Sequence, residues 1–402
     1  MAEHEKTSIF KRAILRAAVP VERGVDAVKG RLEARFDRDD PIQILPYRGF
    51  GTPERFLIQG RVLQDEPVGV SGENDTIWKN LGNAWKRFES DEVPHARLRA
   101  RGPGWERELV ADEEGYFNEH VEPPAPLASG QWHDVELELV HPEAGVRATG
   151  PVLIPPNDSE FGVISDIDDT VVETGVTKRL AMARTVFLNN ARTRLPFKGV
   201  AAFYEALVQG VREGGVNPIF FVSGSPWNLY DLLAEFMDLQ KIPRGPILLR
   251  DFGLDARKLL KKETVANKLG CIRPILDLYP HLNFILIGDS GEKDPEIYRQ
   301  VVREYPGRIL AIYIRKIGVG PHREEQVLNL AKEVREEGVP MLLCEDTEAA
   351  AVHARESGWI RADQIKNVNA EKIKDEVAPS PTEAALKPEG TTEGMTEGKT
   401  EG

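Results

Sequence analysis

Hydrophobic and polar positions change their period several times along this chain. Over residues 1 to 40 the apolar positions recur at helical spacing. Ile9, Phe10, Ala13, Ile14, Ala17 and Ala18 share one face, with Lys6, Lys11, Arg12 and Arg16 around them, which predicts an amphipathic N-terminal helical segment. From residue 41 to 156 the period shortens to two. Phe56 to Leu63, Ala96 to Arg101 and Val135 to Val140 read as strands, with turn signals at Asp112 to Gly115, Pro123-Pro124 and Ser129-Gly130. Strands at this spacing predict a small β-sandwich-like domain. One helical interruption is expected over Thr76 to Phe88, where Trp78, Leu81, Trp85 and Phe88 fall on one face.

Residues 157 to 368 have a third rhythm. Short apolar runs at Phe161 to Ile167, Pro218 to Val222, Ile247 to Leu249, Phe284 to Ile287, Ile309 to Ile314 and Pro340 to Leu343 alternate with helical stretches. Unbroken apolar strands separated by helices predict an α/β domain, a Rossmann-like parallel sheet covered on both faces. Chemistry in such sheets gathers just beyond the carboxyl ends of the strands. Residues 369 to 402 carry a threefold Thr-Glu-Gly tandem and almost no large apolar residue. That composition predicts a disordered acidic tail.

Composition narrows the function classes. The 402 residues carry a formal net charge of −13 and only two cysteines, Cys271 and Cys344. No apolar run approaches the roughly 18 residues that a spanning helix needs. Nor does the N-terminus read as a secretory signal. Two cysteines cannot build a disulfide framework or a thiolate metal site, so a cytoplasmic setting is expected. The acidity argues against nucleic acid as a partner. Residues 1 to 38 run against the global sign, with nine Lys/Arg and six Asp/Glu. Two readings stay open for them: a helix packed on the protein body, and a peripheral contact with an anionic membrane surface.

Three strand ends deliver the candidate chemistry. Phe161-Gly-Val-Ile-Ser is followed by Asp166-Ile-Asp168-Asp169-Thr170, Ile219-Phe-Phe-Val by Ser223-Gly224-Ser225, and Phe284-Ile-Leu-Ile by Gly288-Asp289-Ser-Gly-Glu-Lys-Asp294. This set suits phosphoryl transfer. A carboxylate can attack phosphorus and divide hydrolysis into two steps. Asp166 and Asp168 have the spacing for a nucleophile and an acid/base at one mouth. Asp289 can complete a hard oxygen site for Mg²⁺ with Asp166 and the backbone carbonyl of Asp168. The Ser223 hydroxyl suits a phosphoryl oxygen, and a lysine would supply further positive charge.

DIDDT, VSGS, a downstream lysine and GDSGEKD resemble, in order, the four motifs of the haloacid-dehalogenase-like phosphohydrolases. The stretches FGVISDIDDTVVETGV, LPFKGVAAFYEAL, FFVSGSPWNLYDLL, LDLYPHLNFILIGDSGEKDPEIY and AIYIRKI are more closely similar to the actin-patch-protein family of phosphatidate phosphatases. The resemblance covers about residues 160 to 320. It implies a haloacid-dehalogenase-type sheet with a small cap, and Mg²⁺ as cofactor. It further implies Asp166 as nucleophile, Asp168 as acid/base, and Thr170, Ser223, Gly224 and Lys268 at the substrate phosphate. Asp166, Asp168 and Asp289 become metal ligands, with Asp294 as a further ligand or as a partner that orients one. Lys268 is chosen over Lys258, Lys261 and Lys262 for its distance from Tyr279-Pro280, and it is expected to open a helix over Lys268 to Leu278. Arg192, Arg194 and Arg315 are candidates to neutralise a substrate phosphate.

Gly288-Asp289-Ser290-Gly291 also looks like a serine-protease nucleophile segment, but it opens from an α/β strand and Glu292-Lys293 replaces the following Gly-Pro. The expected function is therefore a Mg²⁺-dependent phosphatase acting on phosphatidate or a related lipid phosphate through an aspartyl-phosphate. The alternatives are a phosphatase for a soluble phosphomonoester and a non-catalytic lipid-binding scaffold. A short cap segment between Asp166 and Ser223, including a helical stretch over Lys178 to Arg194, leaves the site open and suits a large or membrane-embedded substrate.

Overall fold

The computed structural model describes residues 41–64, 91–167, 199–250 and 263–377. The helices expected over 1–40, Thr76 to Phe88 and Lys178 to Arg194 lie outside these residues, as does the chain beyond 377.

Two sheets form the β-rich part. In the first, β3 (Phe56–Gln64) pairs antiparallel with β1 (Ile42–Tyr47), β4 (Asp91–Glu92) and β7 (Tyr116–Val121). The second runs β2 (Gly49–Phe50), β9 (Arg147–Ile154), β8 (Gln131–His141), β5 (Arg97–Gly102), β6 (Trp105–Val110). They enclose one core, to which Phe56, Ile58, Leu98, Val135, Leu137 and Val152 contribute. The alternation read in β8 is realised: Val135, Leu137 and Leu139 face inward, while Glu138 pairs with Arg101 at 2.8 Å and Arg147 at 3.2 Å. Asp112 sets the β6–β7 turn, its Oδ1 accepting from the N–H groups of Glu114 and Tyr116 at 2.9 Å. Strand β3 departs from the half-wet pattern because both its faces are covered. Phe56 and Ile58 enter the core just described, whereas Leu57 packs against residues of the α/β part.

The part that follows is an α/β layer structure. Its six parallel strands are β10 (Gly162–Asp166), β11 (Ile219–Pro226), β12 (Ile247–Arg250), β13 (Phe284–Asp289), β14 (Ile309–Arg315) and β15 (Met341–Cys344). They lie in the order β12-β11-β10-β13-β14-β15, parallel throughout. The first strand is thus central and the order reverses beside it, so the crevice for ligands opens at the carboxyl ends of β10 and β13. Alternate strand residues feed two cores, as Val163, Phe221 and Ile285 do on one face and Ile164, Phe220 and Leu286 on the other. Against the first face pack α1 (Val200–Gln209), α2 (Tyr230–Leu239), α6 (Thr347–Glu356) and α7 (Ala362–Val377); against the second, α3 (Glu263–Leu278), α4 (Asp294–Glu304) and α5 (Pro321–Glu336).

Three boundaries differ from the sequence reading. Strand β11 continues past Val222 through Ser223, Gly224 and Ser225. Helix α3 begins at Glu263, so Lys268 lies in its second turn and does not open it. Helix α7 reaches Val377, past residue 368 where the acidic tail was expected. Tertiary partners explain the last, because Lys372 reaches Asp346 at 2.6 Å and Val368 is buried in the core.

The β-rich part and the α/β part share a polar and aromatic seam. Arg48 grips Asp238 with two hydrogen bonds of 2.8 and 3.0 Å, and its backbone N–H donates to the Tyr230 hydroxyl at 2.6 Å. Tyr47, Trp227 and Tyr230 form a mutually stacked trio, and Tyr279 donates to the Gly51 carbonyl. Among the described residues no helix is long and apolar enough to cross a membrane.

Candidate active site

Register brings the candidates to one edge of the sheet. Asp166 is the last residue of β10 and lies opposite Val222, so Ser223 follows one position beyond it on β11. Ser165 lies opposite Ile287 on the other side, which carries Gly288 and Asp289 to the same mouth. Asp289 in turn lies opposite Arg315 of β14. Each apolar run thus ends where its strand leaves the core, and the polar residue that follows emerges at the crevice.

Lys268 closes the arrangement from below. Its Nζ lies 2.6 Å from Asp166, 2.5 Å from Asp294 and 3.0 Å from Glu292, and its side chain is wholly buried. Burial works against its positive charge, but the three carboxylates outweigh burial and hold its pKa well above the ordinary value. Burial, then the neighbouring Asp294, raises the Asp166 carboxyl well above the usual range against the pull of Lys268. Beyond that ion pair with Lys268, the buried Asp166 Oδ1 has no hydrogen bond among the described residues.

The turn after β13 orients Asp289. Its Oδ1 accepts from the N–H groups of Gly291 at 2.8 Å and Glu292 at 3.0 Å, and its own N–H donates to Asp294 Oδ2 at 3.0 Å. Asp294 opens α4, where a helix N-terminus favours a carboxylate. Gly288 is required beneath it, because a Cβ there would collide with the Asp294 carboxylate.

The donor set fits a hard divalent cation. Carboxylate oxygens of Asp166, Asp289 and Asp294 lie within 4.8 Å of one another. With Glu292, four acidic groups meet one ammonium and the Arg315 guanidinium, 3.9 Å from Asp289. Buried negative charge in excess of its counter-charges, with an oxygen of Asp166 lacking a hydrogen bond, is the condition that a bound cation relieves.

Among the residues singled out from sequence, Asp166, Ser223, Gly224, Lys268, Asp289 and Asp294 come together around these strand ends. Ser223 Oγ accepts from the Ser225 N–H at 3.0 Å. Asp168, Thr170, Arg192, Arg194, Lys258, Lys261 and Lys262 lie outside the described residues. Trp227 stacks on Tyr47 with ring centres 5.3 Å apart and also borders a cavity of about 250 Å³ lined mainly by residues of the β-rich part. Sequence reading missed Glu292, which sits inside the recognised GDSGEKD run but was assigned nothing. It also missed Arg323, for which no local signal exists.

Comparisons with known proteins cover the same segment. Residues 161–316 match the family described as "Phosphatidate phosphatase APP1, catalytic domain", so the resemblance read from the motifs is borne out across that segment. Phosphatidate phosphatase APP1 of Saccharomyces cerevisiae is 35% identical over 174 residues, which is 42% of this chain and 29% of the yeast protein. An uncharacterised protein of Schizosaccharomyces pombe is 27% identical over 244 residues, 58% of this chain and 39% of that protein. The chain therefore matches well under half the length of these relatives. Among solved structures, a carbohydrate acetylesterase from Xanthomonas citri covers 74% of each chain at 12% identity, but its TM-score of 0.25 carries no argument.

Proposed function

We propose that this chain is a magnesium-dependent phosphatase that removes the phosphate of phosphatidate or a related lipid phosphate through a phosphoryl group carried on Asp166. The observation that carries the reading is the Asp166–Lys268–Asp294 cluster at the mouth of the parallel sheet, inside the segment that matches a phosphatidate phosphatase catalytic domain. The strand order, with the Asp166 strand central, supports a sheet of haloacid-dehalogenase type. The small cap expected before Ser223 falls largely on residues outside those described.

In this reading an oxygen of Asp166 attacks phosphorus, and the bond from phosphorus to the lipid oxygen breaks. The departing oxygen takes a proton from Asp168 and leaves as an alcohol. Water then attacks the phosphorus of the aspartyl-phosphate and gives its proton to Asp168. Inorganic phosphate leaves, and Asp166 returns as a carboxylate. Thr170, Ser223 and Gly224 hold the phosphoryl oxygens, and Lys268 offsets charge beside the nucleophile. Asp166, Asp289, Asp294 and the Asp168 carbonyl would hold the Mg²⁺. When bound, that ion supplies the positive charge that lets an anionic carboxylate approach an anionic phosphate. The basic excess of residues 1–38 supports contact with the anionic surface that carries such a substrate.

Phosphate release measured on phosphatidate, lysophosphatidate, diacylglycerol pyrophosphate and several soluble esters, each with Mg²⁺ and with chelator, tests this reading. Preference for phosphatidate that vanishes with chelator, and with Asp166→Asn, is expected. Wild-type turnover by folded Asp166→Asn overturns the mechanism, and preference for a soluble ester overturns the substrate.

A further inference from the structure

The turn from Ser290 to Lys293 determines both ends of the charge cluster. Its N–H groups at Gly291 and Glu292 orient Asp289, and the Glu292 carboxylate meets Lys268. Ser290 is tied to the neighbouring strand end, its N–H donating to the Arg315 carbonyl at 2.8 Å and its Oγ accepting from the Ile317 N–H at 3.1 Å. The rest of the turn is held from outside, by a residue in the first turn of α5. Arg323 Nε donates to the Ser290 carbonyl at 2.9 Å and Nη2 to the Glu292 carbonyl at 2.5 Å. Its guanidinium also reaches both oxygens of Glu296 on α4, at 2.7 and 3.0 Å. One planar fork therefore spans two carbonyls and a carboxylate, which a lysine ammonium cannot do. Arg323 lies beyond residue 316, where the family match ends.

We propose that Arg323 is a positioning residue of this site: by clamping the Ser290 and Glu292 carbonyls it holds the turn whose N–H groups aim the Asp289 carboxylate. The inference rests on the reading that Asp166, Asp289 and Asp294 hold a divalent cation. It goes beyond that reading in assigning a distant helix control over the affinity for the cation. Groups that orient metal ligands are typically worth about 10- to 100-fold in metal affinity.

The test is titration of the substrate-free full chain with Mn²⁺, read from the electron paramagnetic resonance signal of the free ion, for wild type, Arg323→Ala, Arg323→Lys and Arg299→Ala. Arg299 is the control because it joins α4 to α5 through Glu333 at 2.7 Å without touching the turn. Both Arg323 variants should bind Mn²⁺ roughly 10-fold more weakly or worse, while Arg299→Ala binds as wild type does. If Arg323→Ala fails to fold, Arg323→Lys decides, since it keeps a cation beside Glu296 but loses the fork. Unchanged Mn²⁺ binding in a folded Arg323 variant overturns the proposal, and so does equal weakening by Arg299→Ala. A wild type that binds no Mn²⁺ overturns it too. A wild type that binds Mn²⁺ yet hydrolyses no phosphate ester overturns the proposed function and leaves this inference standing.

Discussion

The Lys268 ammonium lies 2.6 Å from the Asp166 carboxylate, with 0% and 3% of the two side chains exposed. Neither charge has bulk water to solvate it, so each depends on the groups beside it.

Removing that ammonium should therefore be costly. Lys268→Met leaves Asp166, Asp294 and Glu292 with an uncompensated buried charge, and should cost about 3–5 kcal/mol in urea unfolding with chelator present. Added Mg²⁺ should stabilise the variant more than wild type, because the cation replaces the lost charge. A variant as stable as wild type in chelator would show that the cluster is already neutralised by protonation.

At the seam between the β-rich and α/β parts, the two sides of one ion pair should respond unequally. Arg48 has 9% of its side chain exposed and Asp238 has 60%. Asp238→Ala strands a buried guanidinium and should cost more than Arg48→Met, which leaves a carboxylate that water can solvate. The difference expected is on the order of 1–2 kcal/mol, measured by urea unfolding of both variants. The reverse ranking would mean that Arg48 contributes through its aliphatic stem.

Asp346 ties the last helices together. Its Oδ1 accepts from the Ala349 N–H at 3.1 Å as the cap of α6, and its Oδ2 meets Lys372 of α7. The Lys372 hydrogen bond and the cap outweigh burial and hold its carboxyl below the usual range. A depressed carboxylate stabilises the fold above its unfolded pKa of about 3.9, and loses that contribution as the pH falls through the lower folded value. Asp346→Ala should cost about 1 kcal/mol at pH 7, and the gap to wild type should close in acid below that unfolded value. Asp346→Asn keeps a cap acceptor and should lose less. A gap unchanged into strong acid would deny the carboxylate this part.

Burial pushes the thiols of Cys271 and Cys344 up to about 12. The thiolate is the reactive form, so both should resist iodoacetamide at pH 8 in the folded protein and react fully in denaturant. Mass spectrometry after a short pulse reads this directly. Rapid native labelling of either cysteine would show local opening around its strand or helix.

The same contrast runs through the site. Asp166, Ser223 and Asp289 were legible because each follows an unbroken apolar run, and a parallel strand brings whatever follows it to the crevice. Lys268 was chosen by resemblance, since four lysines share its stretch and only packing of α3 on β11 and β12 brings one of them to Asp166. Glu292 was within a recognised motif yet silent, because its role depends on meeting that lysine. Arg323 was invisible, as it acts through backbone carbonyls on another element. The buried Gln59 and Arg61 in β3 likewise contradict a half-wet strand until their partners are in place: Gln59 donates to the Arg48 carbonyl, and Arg61 to the Glu114 carbonyl and Glu92.

By itself the sequence determined what local periodicity encodes: a β-rich segment, then six parallel strands, three of them followed by the candidate acidic and hydroxyl residues, and the motifs that resemble phosphatidate phosphatases over about residues 160 to 320. Only the tertiary structure decided where the sheet order reverses, which lysine neutralises Asp166, how the turn after Asp289 is clamped, and why α7 continues to Val377. The physical reason is range. Burial periodicity and turn chemistry act over a few residues and are written in order along the chain. Charge compensation in a buried site acts across space between elements distant in sequence, and exists only once the core has brought them together.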